Sequence, residues 1–116
     1  MSWRAATRSA ATSSRCDEGL ASEAVAERFF SALEHKRLRA LPKEAWLEGF
    51  FDCWTRKEAL LKASGYGLSP PLGAVEAPPY AAVWRPERWR LWSFAPASGF
   101  RAAIAIAAEP QATALR

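Results

Sequence analysis

A carboxylate stands between two ammonium groups near the middle of the chain, in Lys57-Glu58-Ala-Leu-Leu-Lys62. On a helix, Glu58 and Lys62 lie ~40° apart around the axis and ~6 Å apart along it, and Lys57 points ~100° away from Glu58. A carboxylate so placed can hold a cation that phosphates also grip, with lysines on the remaining phosphate charge. The same spacing describes a solvated Glu–Lys helix pair, and spacing alone favours that plainer reading. Gly65 follows as a helix C-cap, which fixes where Lys62 and the next loop point.

Such side chains need a rigid carrier. From Pro42 to Ser64 the pattern is helical for about 23 residues, or ~34 Å. Trp46, Phe50, Trp54 and Leu61 make one apolar stripe, widened by Leu47, Phe51 and Leu60. Trp54 is thus core first, and Gly49 is a weak spot inside the helix. Pro42 suits the first turn, where its missing N–H would be unpaired anyway. Upstream, Ser22 caps a short helix carrying Val25, Phe29 and Phe30 inward. Ser31-Ala-Leu-Glu34 has capping-box spacing for a second short helix with Leu33, Leu38 and Leu41.

Downstream, Ser69-Pro70-Pro71 and Pro78-Pro79 break regular structure. Residues 73 to 84 read as a ragged strand. Trp89 to Phe94 and Phe100 to Ala108 alternate with strand period, joined by a hairpin loop at Ala95-Pro96-Ala97-Ser98-Gly99. The many alanines imply close packing of helix on sheet. The expected fold is α+β over residues 21–108: helices, one of them long, packed on a small antiparallel sheet. Residues 1–20 are rich in Ala, Ser, Thr and Arg without a hydrophobic period, so the expectation there is a poorly ordered segment. Residues 109–116 read as a loose tail, and no internal repeat is visible.

Composition narrows the function classes. A chain of 116 residues, half of them apolar and six of them Trp, allows one globular domain and excludes a disordered one. No apolar run approaches the ~18 residues needed to span a bilayer. The N-terminus lacks a secretory core; its Arg, Ser and Ala content mimics a transit peptide in composition only. Cys16 and Cys53 have neither CxxC spacing nor a histidine cluster, and read as reduced thiols of a cytoplasmic protein, Cys53 within the core. There is no P-loop and no GxGxxG. His35, between Glu34 and Lys36, reads as a surface residue with no partner for nucleophilic catalysis. The formal net charge of +4 favours an anionic partner, whether nucleic acid, a polyphosphate cofactor or an acidic protein, and an Arg-rich surface without a partner explains it equally.

Trp54, Lys57, Glu58, Ala59 and Lys62, followed by Gly65, Gly67 and Leu68, resemble the W-x-x-K-E-A-x-x-K-x-x-G-x-G-[LI] signature of the 4′-phosphopantetheinyl transferases, in their larger type. Ala26-Glu-Arg28-Phe29-Phe30-Ser31 with Glu34 is similar to that family's A-x-R-F-F-S-x-x-E block. Pro71-Leu72, Trp89-Arg-Leu91 and Gly99 to Ile104 resemble its last strands. The resemblance covers roughly residues 22 to 108 and implies the C-terminal half-domain of that fold. It implies transfer of the phosphopantetheine arm of coenzyme A to a serine of an acyl or peptidyl carrier protein, with Mg²⁺ and release of 3′,5′-ADP. By resemblance Glu58 is a metal ligand that also helps activate the serine hydroxyl, directly or through water. Lys62 and Lys57 then hold the pyrophosphate, although a salt bridge explains Lys57 equally. The glutamate matching Glu34 lies near the family's site, while capping explains it here as well.

The match departs in one place. The family's acidic metal pair, in a G-[VI]-D-x-E stretch, would fall near Ser14 and Cys16, and no such stretch exists. Asp17 and Glu18 are adjacent rather than alternate, so a strand would point them to opposite faces. Complete enzymes of the larger type have two similar halves with the cofactor between them; the small type trimerises, with sites between subunits. The expectation is a chain impaired in transfer, with a missing N-terminal half-domain or a homo-oligomer as partner. The rival is a non-catalytic half-domain, or a basic binding module for an acidic protein or nucleic acid. Nucleic acid is disfavoured, because the period-two placement of Trp84, Trp89 and Trp92 reads as sheet core. A truncated gene, or one read out of register over residues 1–20, accounts for the departure. Upstream DNA that encodes neither a G-x-D-x-E stretch nor a first half-domain in any frame would refute it.

Overall fold

The computed structural model describes residues 8–19, 21–65, 75–79, 81–84 and 87–108. In chain order the elements are β1 (Ser9–Arg15), α1 (Glu23–Phe29), α2 (Ala32–Arg39), α3 (Lys43–Ser64), β2 (Ala81–Trp84), β3 (Glu87–Phe94) and β4 (Phe100–Ala107). The strands form one four-stranded sheet in the order β1-β4-β3-β2, with every neighbouring pair antiparallel. The α+β class read from the sequence holds. The signature residues Gly67 and Leu68, Pro71-Leu72, and the 109–116 tail lie outside the described residues.

β1 corrects the expectation of a poorly ordered N-terminal segment. Residues Ser9 to Arg15 pair with β4 from Ser9↔Ile106 to Arg15↔Phe100. Their order comes from β4's backbone groups and from α3, since the strand's own sequence has no apolar period to announce it. Alternate residues turn inward, and Thr12 Oγ1 donates to the Thr55 carbonyl at 2.9 Å.

The helices start where the sequence says. Ser22 Oγ accepts from Val25 N at 3.1 Å. Ser31 and Glu34 form the full capping box: Glu34 N donates to Ser31 Oγ and Ser31 N donates to Glu34 Oε1. Pro42 sits one position earlier than expected, as the N-cap of α3. Leu38 is buried, but Leu33 and Leu41 are exposed; α2 is too short to bury a wide stripe. At Gly49 a Cβ would lie 2.4 Å from Leu41 Cδ1, the free end of an exposed side chain that can turn aside. Gly65 ends α3 at φ 87°, and its N–H reaches the Leu61 and Lys62 carbonyls.

α3 lies across one face of the sheet, over β4, β1 and β3. Ala59, Leu60, Leu61 and Ala63 pack on Trp89, Leu91, Ala103 and Ala105. Ala103 and Ala105 are fully buried, so their small side chains let the helix axis approach the sheet, as the alanine content implied. A second cluster joins α1 and α2 to α3 through Ala26, Phe30, Leu38, Phe50, Phe51 and Cys53. Its rings pack together, Phe50 stacked on Trp54 at 6.3 Å and Phe30 tilted against Phe50 at 5.1 Å. Cys53 is a core residue, and burial pushes its thiol up to about 12.

A charge pair is buried where these parts meet. Lys57 Nζ lies 2.6 Å from Glu34 Oε1, with the two side chains 1% and 3% exposed. Lys57 also donates to the Val75 carbonyl, and Ala77 N donates to Glu34 Oε2. The pair thus ties the start of α2, the middle of α3 and the chain ahead of β2. Removing one partner of such a pair leaves an uncompensated buried charge, at a cost of about 3–5 kcal/mol. Lys57→Met should lower unfolding stability by that order in urea titration. Adding Glu34→Gln should cost clearly less than the two separate losses combined, because the pair acts as a unit.

Candidate functional site

α3 presents its signature residues on different faces, as a helix must. Lys57 faces the interior and is held by Glu34 and Val75. Of the two explanations open for Lys57, the structure contains the salt bridge; its partner is Glu34 rather than a neighbour of Glu58. Glu34 is the cap of α2 and the counterion of Lys57 together, so both its local role and its link to the signature are occupied by packing.

Glu58 and Lys62 stay together toward the C-terminal end of α3. Lys62 is exposed, and its Nζ lies 3.3 Å from the Ala11 carbonyl of β1. Glu58 is half-buried and, among the described residues, makes no hydrogen bond or ion pair. Burial raises its carboxyl above the usual range, and the charge of Lys62 pulls it partly back. A carboxylate desolvated without a donor holds its charge at a cost that an arriving cation would relieve.

The positions expected for an acidic metal pair carry other chemistry. Ser14, half-buried near the end of β1, turns its Oγ to the Arg15 carbonyl. Cys16 follows the strand, half-buried, with Arg101, Glu48 and Asp52 around it. Asp17 is exposed and accepts from Gly19 N at 2.8 Å. Glu18 lines a cleft of about 430 Å³ with Lys43, Trp46 and Leu47. Trp46 and Glu58 are separated by ~18 Å along the helix, so Asp17 and Glu18 do not substitute for the pair. No group of His, Cys, Asp and Glu among the described residues forms a metal-binding cluster. One carboxylate fits a magnesium ion that arrives on a diphosphate and keeps its waters; it does not fit a resident ion.

Sequence reasoning missed two anchors. Asp52 and Arg101 form a two-bond pair, at 2.7 and 3.1 Å, from α3 to β4. Arg56 donates to the Ala77 carbonyl and to Ser93 Oγ. Neither has a local signal, because each joins residues 21 or more apart whose meeting depends on the sheet register. His35 is not a plain surface residue: its Nε2 lies 3.0 Å from Glu23 Oε1, tying α1 to α2. Of the ring-bearing strand residues, Trp89 is core while Trp92 is exposed.

Comparison with known proteins agrees with this arrangement. A family model described as the 4'-phosphopantetheinyl transferase superfamily matches residues 11–105. The 4'-phosphopantetheinyl transferase HetI of Nostoc sp. is 36% identical over 89 residues, 73% of this chain and 37% of that protein. The 4'-phosphopantetheinyl transferase Sfp of Bacillus subtilis is 42% identical over 48 residues, 41% of this chain and 21% of that protein. The chain therefore spans well under half the length of these relatives. The crystal structure of Thermotoga maritima holo-[acyl-carrier-protein] synthase superposes with a TM-score of 0.67 at 15% identity, over 90% of this chain and 66% of that one, which shows a shared fold. With the family model spanning most of its length and the signature carried on α3, the chain belongs to the 4'-phosphopantetheinyl transferase superfamily.

Proposed function

We propose that this chain carries the Glu58–Lys62 half of a phosphopantetheine-transfer site. The observation behind the reading is Glu58 itself: a half-buried carboxylate with no donor among the described residues, beside an exposed lysine at the end of a rigid helix. In the transfer, the serine oxygen of an acyl or peptidyl carrier protein attacks the phosphorus next to the pantetheine arm of coenzyme A. The bond from that phosphorus to the 3′,5′-ADP oxygen breaks, and 3′,5′-ADP leaves. Glu58 takes the serine proton, directly or through one water. Lys62 offsets charge on the 5′-phosphate of the leaving 3′,5′-ADP.

Magnesium, when bound on the diphosphate, supplies further charge neutralisation at the breaking bond, and Glu58 is the carboxylate that would hold it. Lys57 supports the site by fixing α3 to the segment at Val75 rather than by touching phosphate. The free thiols of Cys16 and Cys53 fit a reducing, cytoplasmic setting. Among the described residues no helix is long and apolar enough to cross a membrane. A second reading, a half-domain inactive by itself, draws on the donor set: a single carboxylate stands where the family signature implies three. A partner, either a first half-domain or a second copy, would then complete the site.

Two measurements test this. The raised Glu58 carboxyl means that the folded state binds its proton more tightly than the unfolded state. Stability from this group is present below the unfolded carboxylate range and is lost as pH climbs through the folded value. Glu58→Gln keeps the neutral form, so it should be more stable than the wild type at about pH 7 and equal to it below about pH 4 in urea titrations. In the second, the chain is mixed with coenzyme A, Mg²⁺ and an apo carrier protein, and the carrier is weighed by mass spectrometry. Glu58→Ala and Lys62→Ala should each slow transfer by about a hundredfold. Turnover that survives Glu58→Ala removes that residue from the chemistry, and a wild type that transfers nothing leaves the half-domain reading.

A further inference from the structure

α3 covers one face of the sheet, where Trp89, Leu91, Ala103 and Ala105 are buried. No described helix covers the other. The strand period that sends Trp89 inward sends Trp92 outward. Along β3 the open face carries Arg88, Arg90, Trp92 and Phe94, all exposed. Trp92 and Phe94 are 46% and 42% exposed, an unusual state for two neighbouring large rings. At the far end of the face, Phe100 of β4 pairs with Arg15 of β1 and lies 6.0 Å from its guanidinium. Among the described side chains the face holds no carboxylate, and Arg15, Arg88 and Arg90 form no ion pair with the described residues.

The order of these groups selects a ligand. Alternate residues of a strand stand ~6.8 Å apart, so Arg88, Arg90, Trp92 and Phe94 make one row of ~20 Å. Exposed rings thus stand between cations, with Arg88 and Arg90 at one end and Arg15 at the other. β3 is a central strand of the sheet, so the rings are reached from above rather than past an edge. We propose that this face binds single-stranded nucleic acid. Bases stack on Trp92 and Phe94, and the flanking phosphates are held by Arg88 and Arg90 on one side and by Arg15 on the other.

Charge and shape each exclude a rival. A partner surface without matching anions would bury three guanidinium groups uncompensated, a cost that a chain of phosphates removes. A duplex hides its base faces within its own stack, whereas every unpaired base offers a π-face to an exposed ring. Ile104, level with Trp92, gives an apolar floor beside the indole and no group that reads a base edge. Binding is therefore tolerant of sequence and sensitive to salt. Three arginines on one strand give log K against log salt a slope of about −2. Glu58 and Lys62 belong to the helix that covers the opposite face, so this binding is independent of transfer chemistry.

Fluorescence anisotropy tests it, with the full chain titrated into a labelled single strand of mixed sequence and roughly ten nucleotides. The expected result is saturable binding that weakens roughly twentyfold between about 50 and 200 mM salt. Trp92→Ala should weaken it by about tenfold or more. Arg90→Ser should weaken it and reduce the salt slope by about 0.7. Lys36→Ser, exposed on α2 away from this face, should change neither. Arg90 is a surface residue, so its variant decides the matter even if circular dichroism shows that Trp92→Ala fails to fold. A wild type that binds no single strand overturns the proposal, as does a duplex of the same sequence bound equally tightly. Polyglutamate bound as tightly as the oligonucleotide also overturns it and gives the face to an acidic protein.

Discussion

The ion pair between Glu34 and Lys57 is the contact on which the geometry of the site rests. A lysine and a glutamate almost wholly removed from water are tolerated when geometry is good and further hydrogen bonds complete them. Here Glu34 accepts from two backbone N–H groups as well as from Lys57, and Lys57 also reaches a carbonyl. The pair holds α2, α3 and the approach to β2 in one arrangement. The rotation of α3 about its axis is thereby set, and with it the direction of Glu58, the next residue. Attraction inside the protein and presentation at its surface are consequences of one helical step.

Much of this was legible because helices announce themselves locally. The stripe from Trp46 to Leu61, the serine caps at Ser22 and Ser31 and the glycine stop at Gly65 are signals contained within a few turns, and all appear in the structure. The last two strands were legible through their alternation. β1 was not, because a strand of Ala, Ser and Thr has no apolar period and takes its order from β4. Lys57 was only half legible. Spacing said that it leaves the Glu58 face, but its partner is 23 residues away and no local pattern links them. The pairing of Asp52 with Arg101 was invisible for the same reason.

Glu58 differs from the other described carboxylates of α3. Asp52 is satisfied by a guanidinium, and Glu44 and Glu48 are exposed to water. Glu58 is neither. Folding that holds an acidic group part-way out of water, with only a through-space cation nearby, gives up stability for readiness to meet positive charge. The surrounding core carries that cost: Ala59, Leu60 and Leu61, which follow it directly, are fully buried.

The pairing of β1 with β4 has a consequence for how the molecule is made. The first described strand finds its neighbour in the last described one, so its ladder has no partner until β4 has left the ribosome. At about 5–20 residues per second, that delay lasts several seconds or more. During it α3 is complete but lacks the β4 alanines beneath it, and its apolar stripe faces water. Nascent chains of this protein pass through an interval in which a chaperone has a large greasy surface to hold, and that interval ends only when β4 has emerged.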